Sequence, residues 1–152
     1  MRRTAAVAAL AMAMSAACVP HPVGPARTYS KFEGKATTTA ESALSVVETV
    51  RLAAQAGGEG KAFGPYLSGL LSDAEDDLSG VQGTFDSIQP PSAAGDHLRG
   101  DLDELLTDAL EHVAQVRILA RRGRINDLAD AAKDLEQDSK NLNDFVEEHK
   151  KQ

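Results

Sequence analysis

The sequence predicts an all-α fold, an up-down-up-down four-helix bundle that follows a signal peptide and a flexible tether. Three observations carry that expectation. In two stretches, Leu67 to Ile88 and Ile125 to Val146, apolar residues recur by alternate steps of four and three, a left-handed bundle period that no strand can use. Glycine or proline punctuates each expected joint, and a short joint forces consecutive helices to lie antiparallel and adjacent. Of the chain's 152 residues, 135 remain after the first 17, one domain of ordinary size with enough chain for a real core.

Residues 1–17 read as an export signal. Arg2 and Arg3 supply a charged start, and Ala5 to Met14 an apolar run about half the length of a membrane-spanning helix. Ser15-Ala16-Ala17-Cys18 resembles the lipobox of bacterial lipoproteins, with Ser15 where that motif usually has leucine. The resemblance implies cleavage before Cys18 and a lipid on that cysteine. Ser15 and Ala17 equally suit an ordinary signal-peptidase site at the same bond, which would leave a secreted protein. Cys18 is the only cysteine, so an internal disulfide is excluded. More than one acyl chain on it would anchor stably, at about 0.8 kcal/mol per buried methylene. The expected place is the extracytoplasmic face of the cell membrane, held by lipid. The alanine-rich composition behind an arginine-bearing signal resembles lipoproteins of actinobacteria, a likeness that implies no activity.

Residues 18–37 read as the lipid-attachment cysteine and a tether. Val19 to Arg27 holds three prolines and no apolar period, and the whole segment could reach ~60 Å if fully extended. The bundle is expected over residues 38–150. Thr38 and Glu41 match a capping box, followed at helical spacing by Ala40, Leu44, Val47, Val50 and Ala54, with Gly57-Gly58 as the stop. Gly64-Pro65 opens the second helix, whose seam is Leu67, Leu71, Ala74, Leu78, Val81, Phe85 and Ile88. Gly69, Gly80 and Gly83 fall off that seam and mark either a close neighbour or a bend.

Pro90-Pro91 stops the second helix and Ser92 caps the third. The third helix carries Leu98, Leu102, Leu105, Ala109, Val113, Val116 and Ala120, widened by Leu106, Leu110 and Leu119, and ends before Gly123. The fourth starts with Arg124 or Asn126 as its cap. Its seam is Ile125, Leu128, Ala132, Leu135, Ser139, Leu142 and Val146, with Phe145 beside it.

Composition excludes several function classes. Without the two signal arginines, 14 basic residues face 23 acidic ones, a net charge of −9, which is a poor surface for nucleic acid. There is no tryptophan and few aromatics, so a stacking platform for sugars or bases is not expected. Helical bundles hold paired metals through Glu-x-x-His, but Ala94, Ala109 and Val146 stand three before His97, His112 and His149. His97 and His112 read as surface or boundary residues. The run Asp73 to Asp77 lacks a calcium loop's glycine and twelfth-position carboxylate, and reads as a solvated face. Pairs such as Asp103-Glu104 show no buried context that would shift a pKa, and no phosphate loop or nucleophile elbow occurs. The expectation is therefore no catalytic residue, no metal and no cofactor.

One surface feature stands out. In an up-down bundle, the joint between helices one and two shares an end with the joint between three and four. Lys61, Phe63 and Tyr66 should then lie near Arg117, Arg121, Arg122 and Arg124, on a protein otherwise acidic and at the end away from the tether. Dipole complementation around a solvated turn would explain the arginines alone. The functional expectation is a non-enzymatic module whose tip binds an acidic envelope protein or an anionic polymer. An alternative is a carrier or sensor of a small apolar ligand, with a core cavity left by Ala109, Ala120, Ala132 and Ser139.

Overall fold

The structure is a computed structural model and describes residues 26–150. The expected export signal, Cys18 and the expected tether as far as residue 25 lie outside the described residues. Four helices make up the fold: α1 (Tyr29–Gly58), α2 (Gly64–Asp86), α3 (Ala93–Arg121) and α4 (Ile125–His149). Each packs on the next, α4 closes on α1, and the α1–α3 diagonal is in contact while α2 and α4 do not meet. This is the expected four-helix arrangement. At 1.5 Å per residue α1 is ~45 Å long, which sets the length of the bundle.

The closest helix pair is α1 with α4. Small residues explain it. Ala36, Ala40, Ala43, Val47, Val50, Ala54 and Gly57 form one buried seam on α1, alternating steps of four and three, and Ala131 and Ala132 on α4 are buried. Short side chains let the two backbones approach. The larger apolar residues come mainly from the other three helices: Leu67, Leu71, Leu78 and Phe85 from α2, Leu98, Leu102 and Leu106 from α3, and Leu128, Leu135 and Leu142 from α4. On α3 the rotation differs slightly from expectation, since Leu106 is fully buried and Leu105 only partly. On α1, Ala43 takes the core position and Leu44 packs at its edge.

The start of α1 corrects the sequence reading. The helix begins at Tyr29, nine residues before Thr38, so Tyr29 to Thr37 belongs to the bundle and not to the tether. Thr28 is the cap, its side chain accepting from the Lys31 N–H at 3.3 Å. The Thr38 hydroxyl instead donates to the Gly34 carbonyl inside the helix, and Glu41 pairs with Lys150. Packing decided the boundary. Phe32 and Ala36 are fully buried, Phe32 resting on Phe85 with ring centroids 5.4 Å apart. Burying one Phe is worth about 1.5–3 kcal/mol, more than the roughly 1 kcal/mol of a good cap at Thr38. Nine residues then lie between Cys18 and Thr28, a reach of ~35 Å at most.

The glycines of α2 also differ from one expectation. A Cβ at Gly69, Gly80 or Gly83 would meet nothing within 4 Å, so no neighbour approaches there. Close approach occurs at Gly57, where a Cβ would lie 2.7 Å from Leu67 Cδ2 and 3.0 Å from Leu128 Cδ1. The expected Ser92 cap is present, accepting from the Gly95 N–H at 3.3 Å. Arg124 caps α4 with backbone alone. Among the described residues, no helix is long and apolar enough to cross a membrane.

Candidate functional site

The α1–α2 and α3–α4 joints close by the same device. Lys61 N–H donates to the Ala56 carbonyl and Gly60 N–H to Gly57, while Arg124 N–H donates to Leu119 and Gly123 N–H to Ala120. This is a Schellman pairing, and it needs a left-handed residue at the turn. Glycine supplies it in both, with φ of +69° at Gly60 and +67° at Gly123. The two joints share one end of the bundle, where Gly58 packs against Ala129 and the Ile125 carbonyl. The opposite end holds the start of α1, where Glu33 Oε1 accepts from His149 Nδ1 at 3.1 Å.

At the shared end, the structure brings together Lys61, Phe63, Tyr66, Arg121, Arg122 and Arg124, all exposed. Lys61 is paired with Glu59 at 2.6 Å, and Arg124 with Asp127. Arg121 and Arg122 have no ion-pair partner among the described residues. Arg117 is different. It is half-buried and grips Glu75 of α2 through two guanidinium nitrogens, Nη2 to Oε1 at 3.2 Å, so its charge fastens α3 to α2 instead of serving the tip. The Glu75 carboxylate holds its guanidinium pKa above the ordinary value.

Two tip residues escaped sequence reasoning. Among the described residues, the large apolar side chains left exposed are Phe63 at 75%, Tyr66 at 66%, Leu52 at 56% and Ile118 at 39%. All four lie within two helical turns of the shared end. The available signal was a bulky apolar residue off the heptad seam, which Leu52 and Ile118 both are. Across residues 52–70 and 115–131, which make this cap, four basic residues besides Arg117 face three acidic ones, a local charge of +1 on a chain of −7. The three acids are Glu59, Asp127 and Asp130, and each is already in an ion pair.

Elsewhere, polar groups serve the joints between helices. His112 and Asp138 connect α3 to α4, so His112 is a boundary residue as expected. Glu48 accepts from Arg51 and from the Ser139 hydroxyl, which keeps its pKa below the usual carboxylate range. Ser139 thereby lines an outer groove between α1 and α4 of about 780 Å³, not a core cavity. Ala109 and Ala132 are buried in packed surroundings. A second open groove of about 570 Å³ runs between α1 and α2, from Pro65 and Tyr66 to Asp77.

The reading of Asp103 needs correction. Burial, then the neighbouring Asp86 carboxylate, push it up to about 6, with Arg99 opposing. Arg99 sits 5.9 Å from the Phe32 ring centroid and 5.8 Å from that of Phe85, and donates to the Asp86 carbonyl at 3.1 Å. The context Asp103 lacked in sequence is this cluster, assembled from three helices. Among the described residues, no three potential ligands gather closely enough to hold a metal.

Comparison with protein-family models, curated proteins and solved structures finds no match to this chain.

Proposed function

We propose that the protein is a non-enzymatic helical module, lipid-anchored through Cys18 on the extracytoplasmic face, that presents its far tip to an anionic component of the cell envelope. One observation carries this reading. The exposed large apolar residues cluster at the end opposite the start of α1, beside the unpaired Arg121 and Arg122, while the rest of the surface is acidic. Apolar side chains give up water on contact, and uncompensated guanidiniums recognise carboxylate or phosphate groups. An acidic protein or an anionic polymer has the complementary chemistry.

The test is crosslinking in intact membranes from a photoreactive residue at position 63, followed by identification of what is captured. Replacing Arg121, Arg122 and Arg124 by glutamate, with helicity unchanged, should abolish the capture. Undiminished capture by that variant would reject the reading. Labelling with a fatty-acid analogue, lost on Cys18→Ser, checks the anchor separately.

A further inference from the structure

We infer that the tip docks end-on against a bilayer bearing anionic headgroups. This rests on the tip being the binding surface and names what it meets. The bilayer is one other than that holding Cys18, because a tether of ~35 Å is too short to return along the ~45 Å of α1. The arrangement of the four exposed apolar residues is the first ground. Leu52 is on α1, Phe63 and Tyr66 lie at the start of α2, and Ile118 is on α3, diagonally across the bundle from α1. A partner seated in one groove would cover residues of two neighbouring helices and leave the third in water. A planar medium met end-on covers all four residues at once.

Depth is the second ground. Leu52 lies six residues before Gly58 and Ile118 three before Arg121, so at 1.5 Å per residue they sit ~9 Å and ~5 Å from their helix ends. Interfacial segments bury apolar groups about 5–10 Å into the headgroup region. Phe63 and Tyr66 would enter first, and aromatic residues favour that zone.

Charge is the third. Within the depth that would enter, every carboxylate is already paired, whereas Arg121 and Arg122 are not. The unpaired acids Asp73, Asp76 and Asp77 begin nine residues into α2, ~13 Å from the tip, beyond the immersed layer. The acidic body would resist lying flat on an anionic membrane, which favours contact by the end alone.

The experiment uses the chain from residue 18 with Cys18→Ser, so that lipid cannot supply the binding. It is sedimented with vesicles of phosphatidylcholine, with or without phosphatidylglycerol. Binding is expected to the anionic vesicles only and to weaken with salt. Arg121→Gln with Arg122→Gln should weaken it about tenfold or more, and Phe63→Ser with Tyr66→Ser comparably. All four sites are exposed, so circular dichroism should show the fold intact. No binding to anionic vesicles, or binding unchanged in both double variants, would overturn the inference. If vesicles are not bound but crosslinks from position 63 capture a protein or polymer, the bilayer is rejected and the tip reading stands; if neither occurs, both fall.

Discussion

His112 Nδ1 lies 2.7 Å from Asp138 Oδ2, and this pair fastens the inner edges of α3 and α4. Burial pushes the Asp138 carboxyl up, and the hydrogen bond and charge of His112 only partly offset it. For His112, burial pulls downward, but the hydrogen bond and charge of Asp138, with Asp134 and Asp108 behind, leave the imidazole above its usual value. A raised histidine contributes stability that is complete below about 6.5 and fades as pH climbs through its folded value. A raised aspartate also loses stability as pH rises. Both groups act in one direction. His112→Gln should therefore cost about 1–3 kcal/mol at pH 6 and less at pH 8.5. Denaturant melts at the two pH values measure the gap; a gap that widens with pH would contradict the assignment.

Asp103 yields a second pH signature, with an acid alone. Its pKa is raised to about 6 against an ordinary 3.8, so the fold disfavours its charged form. The stability it allows is present below the ordinary value and lost as pH rises through about 6. Asp103→Asn should accordingly stabilise the protein at pH 7, by about 1 kcal/mol once the solvent reaching this part-buried carboxyl is discounted. The advantage should vanish near pH 4. Thermal melts across that range check it. Destabilisation at pH 7 would mean that attraction to Arg99 outweighs burial and Asp86.

The start of α1 can be tested by two threonines. Thr28 accepts from the Lys31 N–H, so Thr28→Ala should cost about 1 kcal/mol. Thr38 is exposed inside the helix, and its hydroxyl donates only to the Gly34 carbonyl. Thr38→Ala should be neutral or stabilise by a few tenths of a kcal/mol, since alanine is the better helix former. A helix beginning at Thr38 would give the reverse pattern in the same melting experiment.

These sites mark where sequence reading succeeded and where it stopped. The seams of α2 and α4 were legible because Leu67, Leu71, Leu78, Leu135 and Leu142 are large, apolar and in register. The first turns of α1 were not, because Phe32 and Ala36 alone set no period and an alanine looks the same in a core as on a surface. Cap chemistry at Thr38 then supplied a false start. Topology alone placed the joints, and with them Lys61, Phe63, Arg121, Arg122 and Arg124, at one end. The capture of Arg117 by Glu75, the pairing of His112 with Asp138 and the crowding of Asp103 all depend on how far each helix is rotated about its axis. Spacing within one helix does not contain that angle.

The glycines offer the sharpest contrast between a site with room and a site without. Gly80 is exposed in the interior of α2, and a Cβ there would touch nothing within 4 Å. Gly80→Ala removes a helix-propensity penalty and unfolded-state entropy, and should stabilise by about 0.5–1 kcal/mol. Gly57 has the same helical backbone but the opposite surroundings. Its Cβ would fall 2.7 Å from Leu67 Cδ2 and 3.0 Å from Leu128 Cδ1, and both leucines are buried in the core that joins α1, α2 and α4. For Gly57→Ala the propensity gain and the displacement of two leucine methyls nearly cancel. Gly57→Val adds two further carbons to a filled space, and should cost about 1–3 kcal/mol. Paired melts of the Gly80 and Gly57 variants should thus diverge in sign. Equal behaviour at the two positions would mean that α1 does not approach α2 and α4 as closely as Leu67 and Leu128 require.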